Sequence, residues 1–114
     1  MLIGELSRRT GVSARSLRYY EAQGLLTVRR AANGYRAYGP DAALTVAKIR
    51  TLLRAGLSTE VIREVLPCVR GGQPGFDWCA ELREILAGEL AAMDERLEEL
   101  RRSRGALAGL LTEG

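Results

Sequence analysis

The sequence predicts a mainly α-helical fold in two parts: a small N-terminal helical block interrupted by a short β-hairpin, then one long coiled-coil helix. Three observations predict it. First, Leu86, Leu90, Met93, Leu97, Leu100, Leu107 and Leu111 recur four and three apart, with Arg104 as the polar break, which is the heptad pattern of a coiled-coil seam. Second, Asn33-Gly34 stands between two segments bearing Arg and Tyr, and Asn-Gly supplies the positive φ angles of a tight hairpin turn. Third, the charge changes sign along the chain. Residues 1–70 hold 12 basic and 5 acidic side chains, net +7, whereas residues 71–114 hold 5 and 9, net −4, for +3 overall. A basic block followed by an acidic one indicates two tasks on one chain.

The elements follow in order. Ile3 and Leu6, three apart, mark a short first helix over Ile3–Arg9 that stops at Thr10-Gly11. Ser13 is placed as the N-cap of a second helix, with Val12 and Leu17 at the staple positions that flank such a cap. That helix is expected to run to about Gln23, with Gly24 just past its end. Two helices joined by a short turn form a helix-turn-helix. At ~100° per residue, Ala14, Leu17 and Tyr20 share one face of the second helix, while Arg15, Ser16, Tyr19 and Gln23 share the other with Arg18 at its flank. The outward face is cationic, hydroxylic and aromatic, as a groove lined by acceptors and flanked by phosphates requires. Thr27–Arg30 and Tyr35–Tyr38 then form the hairpin, a wing beside the helix-turn-helix.

Asp41 is expected to cap a third helix ending at Gly56, with Arg54 near its negative end. Leu57-Ser58 repeats the staple and cap, Leu57 pairing with Ile62, and Pro67 is expected to close the fourth helix. Gly71, Gly72, Pro74 and Gly75 read as a linker. The expected organisation is a winged helix-turn-helix over residues 1–70, a linker over 71–77 and a dimerisation helix over 78–112. At 1.5 Å per residue that helix is roughly 50 Å long, and a stripe of such length calls for a second copy of itself.

The composition excludes several classes of function. The chain has no histidine, which removes Ser-His-Asp and Cys-His catalysis and His-ligated zinc. No apolar run approaches the ~18 residues of a membrane span, and no leader pattern precedes the first helix. Two cysteines are too few for a disulfide scaffold. These features place the protein in the cytoplasm, away from membranes, and predict that it is not an enzyme.

Ile3-Gly4-Glu5-Leu6-Ser7, Gly11-Val12-Ser13, Ser16-Leu17-Arg18-Tyr19-Tyr20-Glu21, Gly24-Leu25-Leu26, Arg30, Asn33-Gly34-Tyr35-Arg36-Ala37-Tyr38 and Ile49-Arg50 resemble the mercury-resistance regulator (MerR) family of transcriptional regulators, and the resemblance runs the length of the chain. It implies a homodimer joined by an antiparallel coiled coil over residues 78–112, bound to a pseudo-palindromic promoter. It also implies that the dimer bends and untwists an overlong promoter spacer, acting on RNA polymerase indirectly through the DNA. Carried over by position, Ser13, Arg15, Ser16, Arg18 and Tyr19 meet DNA through the second helix. Asn33, Gly34, Tyr35, Arg36 and Tyr38 place the wing on the backbone, and Arg54 and Ser58 are further phosphate contacts. Tyr20 suits packing, with its hydroxyl in reach of a phosphate.

Metal-sensing members of that family carry a cysteine near the start of the dimerisation helix, where Cys79 stands, and a further cysteine-bearing loop that this sequence lacks. Three readings of Cys68 and Cys79 stand side by side: small buried hydrophobes, a redox or thiol-sensing pair across the Gly/Pro-rich linker, or ligands to a thiophilic metal. The last is the least favoured, because two thiolates are half of a usual ligand set, so no cofactor is assigned. Phe76 and Trp78 either anchor the long helix or line an effector pocket. A different function class also fits a winged helix: an architectural or recombination-accessory DNA bender with no effector. The long seam favours the regulator.

Overall fold

A computed structural model describes residues 1–30, 34, 36–69 and 80–114. Five helices and one two-stranded ladder are found among them: α1 (Ile3–Thr10), α2 (Ala14–Ala22), β1 (Arg29–Arg30), β2 (Arg36–Ala37), α3 (Ala42–Arg54), α4 (Thr59–Val69) and α5 (Ala80–Glu113). The mainly helical architecture and the long final helix agree with expectation. The chain divides into two units, Met1–Cys79 and Ala80–Gly114.

The first unit is built by local signals that hand each helix to the next. Gly11 ends α1 in the left-handed region at φ 72°, where a side chain would be strained. Thr10 Oγ1 donates to the Leu6 carbonyl and accepts from the Val12 N–H, while Ser7 Oγ donates to the Val12 carbonyl at 2.7 Å. These bonds tie the turn before Ser13, whose Oγ accepts from the Ser16 N–H and contributes about 1 kcal/mol as an N-cap. At the other end of α2, the Gly24 N–H donates to the Glu21 carbonyl and the Leu25 N–H to the Tyr20 carbonyl, a Schellman closure that reverses the chain. The same pair of bonds recurs after α3, from Gly56 to Leu53 and from Leu57 to Leu52.

The core joins the inner faces of these helices. α1 packs on α2 and α3, and α3 packs on α4. Leu6, Leu17, Leu25, Val46, Ile49, Ile62 and Val65 are almost wholly buried. Each such side chain is worth about 1.5–3 kcal/mol of transfer free energy. Leu57 and Ile62 are both buried on either side of the Ser58 cap, whose Oγ accepts from the Val61 N–H. β1 and β2 pair antiparallel, Arg29 opposite Ala37 and Arg30 opposite Arg36. The ladder is shorter than the expected strands, and its tip, including Asn33 and Tyr35, lies outside the described residues.

One expectation about helix ends is met in position only, and one is corrected. Asp41 occupies the position before α3 but its side chain makes no cap bond. The Ala42 N–H donates to the Gly39 carbonyl, a backbone turn that leads into the helix. Pro67 does not close α4, which continues to Val69 with Pro67 inside it. Proline removes one N–H and crowds the carbonyl four residues earlier. Two residues from the helix end that loss falls on a single turn, and the backbone carries on through Cys68.

α5 is of different character. Leu82 in its first turns is fully buried, whereas every residue from Asp94 onward is exposed. Among the described residues, no helix is long and apolar enough to cross a membrane.

Candidate nucleic-acid interface

The two faces of α2 separate as their spacing requires. Leu17 and Tyr20 are buried, and Arg15, Arg18 and Tyr19 are exposed. Tyr19 is an aromatic residue 52% exposed on a small domain, a placement that favours contact with a partner. Ser13 is exposed and Ser16 half-buried, and the two hydroxyls are 3.1 Å apart. Tyr20 is a core residue, 7% exposed. The surface thus presents two guanidinium groups, two hydroxyls and one phenol, with no acid among them, from one rigid helix.

That helix is held at both ends. At its start, Arg50 on α3 donates from Nη1 to the Thr10 carbonyl at 3.1 Å, closing the end of α1 against α3. At its finish, Thr59 Oγ1 on α4 donates to Gln23 Oε1 at 3.3 Å. Gln23 therefore belongs to the scaffold, half-buried and engaged by α4, although its spacing put it on the outward face. Arg54 and Ser58, bracketing the turn into α4, are both exposed. Ser58 Oγ is occupied in capping, yet a hydroxyl that accepts at a cap still has its own proton to donate.

The ladder contributes differently from expectation. Arg29 and Gly34 are exposed, Gly34 at φ 85°, a value that suits a turn glycine. Asn33 and Tyr35 lie outside the described residues, as does the side chain of Arg36. Tyr38 is not a surface residue: it is 3% exposed and its hydroxyl donates to Glu21 Oε2 at 3.4 Å. A ring packed in the core cannot also lie on a DNA backbone, so Tyr38 is withdrawn from the contact set.

Residue spacing missed the scaffold bonds because their partners are far apart in sequence: Arg50 and Thr10 are 40 positions apart, Thr59 and Gln23 36 apart, and Tyr38 and Glu21 17 apart. Arg50, Glu21 and Tyr38 all stand within the segments that carry the family resemblance, which was the one available signal.

Of the two cysteines, Cys68 is buried and disulfide-bonded. Cys79, Phe76 and Trp78 lie outside the described residues. Among the described residues, no three His, Cys, Asp or Glu side chains come together as a metal-binding group.

Comparison with known proteins accounts for this arrangement. Residues 1–67 match the family model for the MerR HTH family regulatory protein, and residues 44–110 match the model described as MerR, DNA binding. The chain is 36% identical over 114 residues to the HTH-type transcriptional regulator HmrR of Rhizobium leguminosarum bv. viciae, covering 97% of this chain and 84% of that protein. It is 35% identical to heavy metal-dependent transcription regulator 2 of Rhizobium meliloti, covering 96% of this chain and 75% of that one. The crystal structure of the transcription regulator PbrR691 from Ralstonia metallidurans, in complex with lead(II), superposes with a TM-score of 0.81 at 25% identity, covering 96% of this chain and 84% of that one. The exposed Arg and Tyr side chains of α2, the fold that presents them and these matches agree: the chain belongs to the MerR family of DNA-binding transcriptional regulators, a family of regulators rather than enzymes.

Proposed function

We propose that two copies of this chain pair through residues 78–112 and grip one pseudo-palindromic promoter with residues 1–70 of each, distorting the duplex to control transcription. The observation that supports this most is the apolar seam of α5. Leu90, Leu97, Leu100, Leu107 and Leu111 are 60–79% exposed on a 34-residue helix, about 51 Å long. A seam of that length loses its exposure against an antiparallel second copy. The charged exterior is compatible with such pairing, as in the Glu98–Arg101 bridge at 3.6 Å.

In this reading Ser13, Arg15, Ser16, Arg18 and Tyr19 enter the major groove. Asn33, Gly34, Tyr35 and Arg36 meet the backbone beside it, and Arg54 and Ser58 reach phosphates. RNA polymerase responds to the altered DNA geometry, and the protein works in the cytoplasm. Bending a site of this size costs about 1–6 kcal/mol, which phosphate contacts from two copies can offset.

The control element in this proposal is the cysteine pair. Cys68 is disulfide-bonded at the last turn of α4, and disulfides of cytoplasmic proteins are usually transient, catalytic or redox-sensing. A dithiol reductant supplies two electrons and two protons, the S–S bond breaks and two thiols result. A disulfide or peroxide oxidant reverses the step. The disulfide form does not fit a metal of the kind PbrR691 holds. While the Cys68 sulfur is committed to the disulfide it is not a thiolate ligand.

The test is transcription in vitro from a promoter bearing the operator selected by the protein. Output from the wild-type dimer is expected to differ between dithiol-reduced and oxidised protein. The double variant Cys68→Ser Cys79→Ser is expected to give one output under both conditions. Equal wild-type output in the two states contradicts the switch.

A further inference from the structure

Tyr38 occupies a junction. It directly follows β2 and its ring is 3% exposed. Its N–H donates to the Met1 carbonyl at 2.7 Å, next to the start of α1. Its hydroxyl donates to Glu21 Oε2 in the last turn of α2. One buried residue therefore joins three parts: its backbone follows β2 and bonds to the approach to α1, and its side chain reaches the helix that carries the exposed Arg and Tyr set.

The ladder needs such an anchor. β1 and β2 are two residues each, and an isolated two-stranded hairpin is marginal in water. Its direction must come from tertiary contacts at its base. Tyr38 supplies a packed ring that resists rotation, and its hydroxyl carries the polar end that a buried Tyr has to satisfy. The Glu21 carboxylate meets that hydroxyl from α2 at 3.4 Å, a long hydrogen bond that ties the ladder root to the helix.

We infer that Tyr38 and Glu21 are a positioning pair that sets the direction of the β1–β2 ladder relative to α2, so that both can engage one duplex at once. The inference rests on the DNA-binding reading above. Neither residue touches DNA in it. They act through Arg29 and the ladder, whose reach to phosphates depends on the angle at its root. Two guanidinium-bearing elements contribute to one affinity only when their separation matches the groove-to-backbone distance.

The experiment uses the full chain and the duplex that the wild-type protein selects from a random-sequence library. Tyr38→Phe removes the hydroxyl and keeps the ring, and Glu21→Ala removes the acceptor. Each is expected to weaken binding about threefold to fivefold, the effect of one ordinary hydrogen bond. Each is also expected to lower the salt slope of binding by about one phosphate contact and to erase protection at the outer edges of the hydroxyl-radical footprint. Glu21→Gln retains an acceptor and is expected to stay within about twofold of wild type. The double variant Tyr38→Phe Glu21→Ala is expected to be no weaker than either single change, as for two residues acting as a unit. The inference is overturned if Tyr38→Phe keeps the wild-type slope and footprint edges, or if its loss of affinity is matched by a fall in thermal midpoint with the slope unchanged. Failure of the wild-type chain to select any duplex sinks the DNA-binding reading itself, which is a separate outcome.

Discussion

Replacing Leu100 and Leu107 together by Glu is expected to yield a monomer and to lower affinity for the selected duplex by at least about 100-fold. Both side chains are more than 60% exposed in the single chain, so their loss removes nothing from the core of the first unit. Glu is a good helix former, so α5 itself persists. The change acts on pairing alone, because four carboxylates then face an apolar seam in each pair of copies. Tethering two DNA-binding units makes the second contact intramolecular, and such linkage commonly multiplies affinity by about 10²–10⁴. Sedimentation checks the assembly state, and binding titration checks the affinity. A monomer that binds as tightly as wild type separates dimerisation from recognition and contradicts the proposed mode of action.

Two neighbouring residues of α2 are expected to fail in opposite ways. Leu17 is fully buried, so Leu17→Ala leaves a cavity and costs about 2–5 kcal/mol. Against the 5–15 kcal/mol typical of a domain this is a severe loss. It lowers the thermal midpoint by roughly 10–30 °C for a unit of this size. Arg18 is exposed, so Arg18→Ala is expected to shift the midpoint by no more than about 2 °C. Its cost appears in binding, as a salt slope reduced by about one unit and a weaker affinity on every sequence if it grips phosphate. Thermal unfolding and salt-dependent titration of both variants check the pair. An Arg18→Ala protein with an unchanged slope removes that residue from the interface.

What could be read from the sequence divides by the range of the interaction. The Ser13 and Ser58 caps, the staple residues around Ser58 and the closure at Gly24 each depend on residues within one or two helical turns, and each was placed correctly. The buried and exposed faces of α2 followed from a 3.6-residue period for the same reason. Pro67 was misread because a residue type was treated as decisive where the backbone had another route, and Asp41 was placed correctly as the N-cap residue although its side chain makes no cap bond. α4 gives up one hydrogen bond near its end and continues, and α3 starts on a backbone turn. Tyr38 and Gln23 were misread because partners on other elements claim them, and no local period encodes Glu21 or Thr59 as those partners. The Arg50 bond to the Thr10 carbonyl is likewise a consequence of folding rather than of any segment taken alone. The hairpin tip and Cys79 fall outside the described residues.

The most direct measurement is the stoichiometry of the wild-type chain on one selected duplex, read by sedimentation together with a footprint of both strands. The prediction is two chains per duplex and two protected half-sites related by a dyad. One chain per duplex, or a single protected half-site at saturation, contradicts it.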